Sequence, residues 1–536
     1  MLLPNRPDPP RYPRGPSASP RASVPSPSVV SKFITAAEAA RLIPSGATVA
    51  IMGAGGGPGE PTQLLRALRE RFLAEAAPSR LTLLHATGLG DKAGIGTDLL
   101  ALDGLVETDI AGHLGMAPSM ARMIQDGRIA GYNLPQGVIS QLYRATAARQ
   151  PGVLTKVGLG TFVDPRIEGG RLNSRAVREL VHVVHLAGEE WLFYPRAKVD
   201  VALVRGTTSD SKGNITAEEE AAIYEGISIA QAAKASGGIV IAQVKYLAET
   251  GTLDPRTVVI PGVSVDYVVV DPEQRQTCLT IHDPSLSGAV RRPAAQLPRL
   301  ELSERKVVAR RAAQELFPNA VINVGVGMPD GIAQVAAEQG RLGELTFTIE
   351  QGLIGGMPAG GVIFGVSHNP EARIHQSHQF DFYDGGGLDI AFLGLAQMDI
   401  EGNVNVSRVG PLLSGCGGFI NISQNAKRVV FCGTFTAKGV DLEVDGGRLV
   451  ILREGTVRKF VRQVQQITFS GRYARQQKQP VLVVTERAVF ELGTDGLVLK
   501  EIAPGIDLQR DVLGQMDFKP LVASDLRVMN PDYFRS

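Results

Sequence analysis

A single acid stands where the chain would expose a reactive group to a ligand. In residues 344–365, Leu345, Phe347 and Ile349 alternate with polar residues, the period-2 pattern of a strand, and that strand runs straight into Glu350. Gly352, Gly355, Gly356, Gly360 and Gly361 follow. The carboxyl ends of strands in open α/β sheets are where ligands bind. A glycine tract there lets a bulky ligand approach the main chain and its N–H donors. Taken alone, Glu350 would be a solvated acid at a strand end, as most acids are. Pro358 and the apolar Leu353, Ile354 and Met357 around the glycines argue instead for a built site.

Other stretches have the same character. Residues 46–72 predict a strand, a loop containing Gly53, Gly55 and Gly56, and a helix. A dinucleotide fingerprint fits poorly, because Pro58 falls where the third glycine belongs and no acid ends a following strand. A loop opening a helix toward an anion or acyl ligand fits better. Gln136 and Gly137 stand at the entrance of a helix within 132–166. There an amide and free N–H groups could hold a carboxylate or carbonyl, or Gln136 could simply bond locally. Residues 411–423 are a third glycine-rich turn. His375, His378, Asp381 and Asp384 suggest a metal at helical spacing, but Gln379–Tyr383 alternates like a strand and splits them, so no metal is expected.

These residues must be held by more than one core, since the chain has 536 residues. An internal repeat indicates how. Residues 199–216 match 388–405, with Asp200/Asp389, Ala202/Ala391, Asp210/Asp399, Gly213/Gly402 and Asn214/Asn403 identical. Each copy reads as a buried strand followed by an Asp-x-x-Gly-Asn turn. The glycine loop at 53–61 likewise has a counterpart in 321–334. Two related open α/β domains are expected, 32–295 and 301–525, the first larger and the junction in the proline- and arginine-containing stretch 288–300. Residues 1–31, with nine prolines in the first 30, are expected to be a disordered tail. A net charge of +1 gives no basic field for nucleic acid or an anionic membrane. Apolar runs are too interrupted to span a bilayer. Three scattered cysteines, Cys278, Cys416 and Cys432, fit a reducing, cytoplasmic setting.

The motifs NLPQG, GLGTFVDPR, RGTTSD-x-x-GNIT, IEQGLIGGMPAGG, LGLAQMD-x-x-GNVNVS and GCGGF-x-x-IS together resemble family I CoA-transferases, most of all the single-chain acetate/propionate type. The resemblance covers about residues 34–525. It implies that Glu350 is a nucleophile that becomes a glutamyl-CoA thioester. It places oxyanion and CoA-binding backbone groups at Gly325, Val326, Gly327, Gly417 and Gly418, and an acyl or carboxylate contact at Gln136. Coenzyme A would be a substrate, with no cofactor bound permanently. The partners would be acyl-CoA and short carboxylic acids, and the chain would be a homo-oligomer. Ala86 and Thr87 stand at the comparable strand end of the first half, where some relatives carry asparagine, which bears on the acceptor acid. An acyl-CoA hydrolase using the same thioester and a non-catalytic ligand sensor on the same fold are the competing readings.

Overall fold

The computed structural model describes residues 31–293 and 299–536. The expected tail, apart from Ser31, and the centre of the expected junction lie outside them. Two sheets organise the rest. The first is wholly parallel in its seven strands: β1 (Thr48–Ile51), β2 (Leu81–His85), β3 (Val106–Ala111), β4 (Ala130–Asn133), β5 (Val201–Arg205), β6 (Ile239–Val244) and β7 (Tyr267–Val270), in the order β7-β6-β5-β1-β2-β3-β4. The second has five parallel strands at its centre: β8 (Val321–Val324), β9 (Thr346–Ile349), β10 (Ile390–Gly394), β11 (Val429–Cys432) and β12 (Val481–Val484), in the order β9-β8-β10-β11-β12. Antiparallel strands extend it at both edges, including the hairpin Ala488–Gly493 and Gly496–Ile502.

Period-2 geometry sends alternate residues of a strand to opposite faces, and both faces of each sheet are covered. Ala50, Leu84, Ala202 and Ala242 belong to one core with Val138, Ile139 and Leu142 of helix Gln136–Ala147; Val49, Leu83, Leu203 and Ile241 belong to another with Leu64, Leu65 and Leu68 of helix Thr62–Glu75. The second sheet repeats the scheme. Phe431 and Leu393 face Phe380 and Ile422 on one side, and Ile322 and Phe392 face Val308 and Ile332 on the other. Continuous apolar runs such as Val-Ala-Leu-Val in β5 are what a strand buried on both faces requires.

The repeat extends to single hydrogen bonds. Asp200 accepts from Thr48 N at 2.9 Å, and Asp389 accepts from Val321 N at 2.9 Å. Asp210 Oδ1 accepts from Asn214 N at 2.9 Å and its Oδ2 from Asn214 Nδ2 at 2.9 Å; the corresponding bonds of Asp399 to Asn403 are 2.9 and 3.0 Å. Gly213 and Gly402 take φ of +83° and +80°, which only glycine adopts freely. Asp399 is 3% exposed, so Asp399→Ala leaves buried N–H donors unpaired. The expected outcome is a loss of about 1–3 kcal/mol, read by denaturant unfolding.

Two local expectations need correction. Residues Gln379–Tyr383 are not a strand but lie inside the helix Gln376–Asp384. Their alternation of polar and aromatic residues imitates period 2, yet four of the helix's five buried residues, Gln376, Gln379, Phe380 and Tyr383, fall at helical spacing. The turn at 411–423 ends at Gly418, after which Phe419–Asn425 is helical. Among the described residues no helix is long and apolar enough to cross a membrane, and no group of three or more His, Cys, Asp or Glu is arranged to hold a metal.

Candidate active site

Glu350 leaves β9 at its carboxyl end and is 8% exposed, lining a cavity of about 740 Å³ whose walls come from both sheets. Gln136, Gly325, Val326, Gly327, Gly417 and Gly418 line the same cavity. All seven residues named from the sequence thus meet in one place. Glu350 is neither solvated nor sealed.

The loops differ in what they can offer a ligand. Gly325 N donates to Phe392 O at 2.7 Å and Gly417 N donates to Gly112 O at 2.7 Å, so both amides are already engaged. The amides of Val326, Gly327 and Gly418 have no acceptor among the described residues. Gly327 sits at φ +93° and Gly417 at φ +52°, turns that expose the neighbouring amides. A Cβ built on Gly418 would lie 3.4 Å from Glu350 Cγ, so the glycine brings its backbone against the acid.

Three groups that sequence periodicity did not single out surround Glu350. Gln351 Nε2 approaches Glu350 Oε1 at 3.5 Å. Asn323 Nδ2 donates to Thr348 O at 3.2 Å and reaches the Tyr383 hydroxyl at 3.4 Å, and that hydroxyl donates to Thr348 Oγ1 at 2.9 Å. Burial pushes the Glu350 carboxyl above the ordinary carboxylate value, while hydrogen bonds from its own backbone N–H, Gln351 and Asn323 oppose the shift. The same burial, with the Glu350 charge, raises the Tyr383 phenol. A polar residue inside the apolar strand Val-Ile-Asn-Val was the one sequence signal that could have flagged Asn323.

The opposite wall is spliced on by backbone. Gln136 N donates to Gly417 O at 3.0 Å, Leu114 N donates to Ser414 O at 2.7 Å, and Cys416 N donates to Asn133 Oδ1 at 2.9 Å. Gln136 Nε2 donates to Gln376 Oε1 at 3.3 Å, so its amide is partly committed, with Oε1 3.7 Å from the Cβ position of Gly417. His113, Met116, Thr87 and Gly88 complete this wall. Burial, Lys92 and His85 lower the His113 pKa to about 4, so its imidazole is neutral at physiological pH.

The repeat also shows what the first half has in place of the acid. Thr48 corresponds to Val321 through its bond to the repeated aspartate, and Thr82 and Thr346 are their respective partners across the sheet. Counting along β2 and β9 from that pair sets Ala86 at the position of Glu350 and Thr87 at that of Gln351.

The Coenzyme A transferase family model matches residues 33–271. The chain is 47% identical over 513 residues to a caffeate CoA-transferase of Acetobacterium woodii, covering 94% of this chain and 98% of that protein. It is 43% identical to the acetate CoA-transferase YdiF of Escherichia coli strain K12, covering 94% of each. The crystal structure of the acyl-CoA transferase YdiF from E. coli O157:H7, a thioester complex with CoA, superposes with a TM-score of 0.89 at 42% identity, over 94% of this chain and 96% of that one.

Proposed function

Given that this chain belongs to the coenzyme A transferase family, we propose that Glu350 is the group on which coenzyme A is carried between two carboxylic acids. The observation that carries this reading is one acid at a strand exit, facing a two-walled cavity beside unpaired backbone amides. The carboxylate oxygen attacks the acyl-CoA carbonyl, the C–S bond breaks, and a mixed anhydride forms with CoA thiolate released. The thiolate attacks the Glu350 carbonyl carbon, the anhydride C–O bond breaks, and the donor acid leaves glutamyl-CoA behind. An acceptor carboxylate repeats the steps in reverse, so the thioester bond energy is passed on. The amides of Val326, Gly327 and Gly418 are suited to the tetrahedral oxyanions of these steps. Gln136 would contact the acid in transit. Gly325 and Gly417 would shape the loops.

Acetate and propionate are the acids proposed first, on the resemblance to acetate CoA-transferases. Cys278, Cys416 and Cys432 are free thiols, consistent with a cytoplasmic setting. Exposed Leu521, Val522 and Val528 on the edge strand Leu521–Val528 are consistent with a homo-oligomer, which sedimentation would test. The proposed domains, 32–295 and 301–525, put Glu350 in the second and Gln136 in the first.

The deciding experiment mixes protein with propionyl-CoA, traps the thioester with borohydride or hydroxylamine, and maps the modified residue by mass. Modification at Glu350 supports the reading, and modification elsewhere refutes it. Release of CoA at an equal rate with no acceptor acid would mark a hydrolase. The pH profile gives a second check. Only the carboxylate attacks and its pKa is raised, so kcat/KM for acyl-CoA should decline on acidification at a pH above the ordinary glutamate value. A decline centred at or below that ordinary value would contradict the assigned environment.

A further inference from the structure

We propose that Met116 gauges the length of the acyl chain, its side chain closing the first-half end of the cavity. This rests on the reading that acyl transfer takes place at Glu350. The cavity has two unlike ends. Its second-half end holds the unpaired amides of Val326 and Gly327, which suit an anion, beside an ion pair of Arg305 with Asp330. Its first-half end carries Lys92 on the lining, while the groups nearest Gly417 are uncharged. The neutral imidazole of His113 stands there, with Cδ2 3.7 Å from the Cβ position of Gly417.

Met116 lies along this end on a floor of two glycines. A Cβ built on Gly55 would be 3.0 Å from Met116 Cγ, 3.1 Å from Cε and 3.4 Å from Sδ. A Cβ built on Gly88 would be 3.2 Å from Met116 Cγ and would collide with His113 Nδ1. Both glycines are needed so that these side chains can settle and still leave room above them. The whole thioether lies against Gly55, so the methionine's own reach fixes the remaining depth. An unbranched, polarizable side chain adjusts to an alkyl chain without a rigid clash.

The backbone beneath Met116 is independently held. Lys92 N donates to Met116 O at 2.9 Å, Gly115 N to Ser414 O at 3.0 Å, and Ala117 N to Leu114 O at 3.1 Å. Shortening the side chain therefore adds depth without releasing the loop. The ligand class this end accepts is a short, uncharged, straight acyl chain, with Met116 as its stop.

The test measures kcat/KM for hexanoyl-CoA and propionyl-CoA, with acetate as acceptor, in wild type, Met116→Ala and Met116→Phe. Each misfitted methylene in such a pocket changes discrimination by about 10-fold or more. Met116→Ala should therefore raise the hexanoyl-to-propionyl ratio at least about 10-fold, and Met116→Phe should lower it. A ratio unchanged in both variants overturns the proposal, and if truncation unfolds the protein the phenylalanine variant decides alone. Mass mapping of the thioester separates the two layers. Glu350 labelled in all three proteins with unchanged ratios removes only the role of Met116. Label on another residue in wild type removes the Glu350 reading, while the ratios still judge Met116.

Discussion

Glu350→Gln is expected to lose acyl exchange by about 10⁴-fold or more, to form no trapped thioester, and yet to unfold at a higher temperature than wild type at neutral pH. The first part follows from removing the attacking group, whose loss is not shared out among remaining residues. The second follows from burial. The folded-state pKa of Glu350 is raised, so the folded chain holds that proton more tightly than the unfolded chain. Stability is therefore lost as pH rises from the unfolded value through the folded one, and above that window the full cost of the buried charge remains. Glutamine carries no such cost. The gap in melting temperature between the two proteins should widen across that window and close below it. Exchange assays and calorimetry over a pH series read both parts. A variant retaining exchange, or one less stable than wild type at neutral pH, contradicts them.

Gly418→Val is expected to reduce the rate of thioester formation by about 100-fold while leaving a folded protein. Gly418 has φ −79° and ψ −5°, a conformation open to any residue, so backbone strain plays no part. Space does. A Cβ at this position would stand 3.2 Å from Ile422 Cδ1, 3.3 Å from Phe380 Cζ and 3.4 Å from Glu350 Cγ. Phe380 is fully buried and off the cavity, whereas Glu350 and Ile422 both line it, so an added side chain presses the acid as well as Ile422 into open space. Valine's extra methyls therefore displace the acid. Gly418→Ala, adding only the Cβ, should cost much less. Rapid-mix trapping of glutamyl-CoA measures the effect, and equal rates in glycine and valine proteins would show that Glu350 does not need this close approach.

How much of this was legible in the chain follows from which forces are local. The strand ending at Ile349 and the glycine turns were readable because period-2 alternation and positive φ are written in neighbouring residues. The repeat was readable because Asp200 and Asp389 make the same bond in both sheets. The surroundings of Glu350 were not. Asn323 and Tyr383 reach it only through pairing of β8 with β9 and packing of a helix across them, contacts distant in sequence. Gly325 and Gly417 line the cavity as expected donors would, but their amides are taken by Phe392 and Gly112, partners no local pattern names. Residues Gln379–Tyr383 went wrong for a related reason. Their helix is settled by what buries Phe380 and Tyr383, against a local alternation that favours a strand.

The alanine that replaces the acid in the first half has its own consequence. Had both copies kept a carboxylate, two like charges would approach a common chamber, compete for one proton, and leave only one of them free to attack. With Ala86 silent, a chain saturated with donor should take up one equivalent of coenzyme A and no more. On the proposed role of Glu350, the duplicated scaffold divides its labour, one copy bearing the reagent and the other serving as its mould.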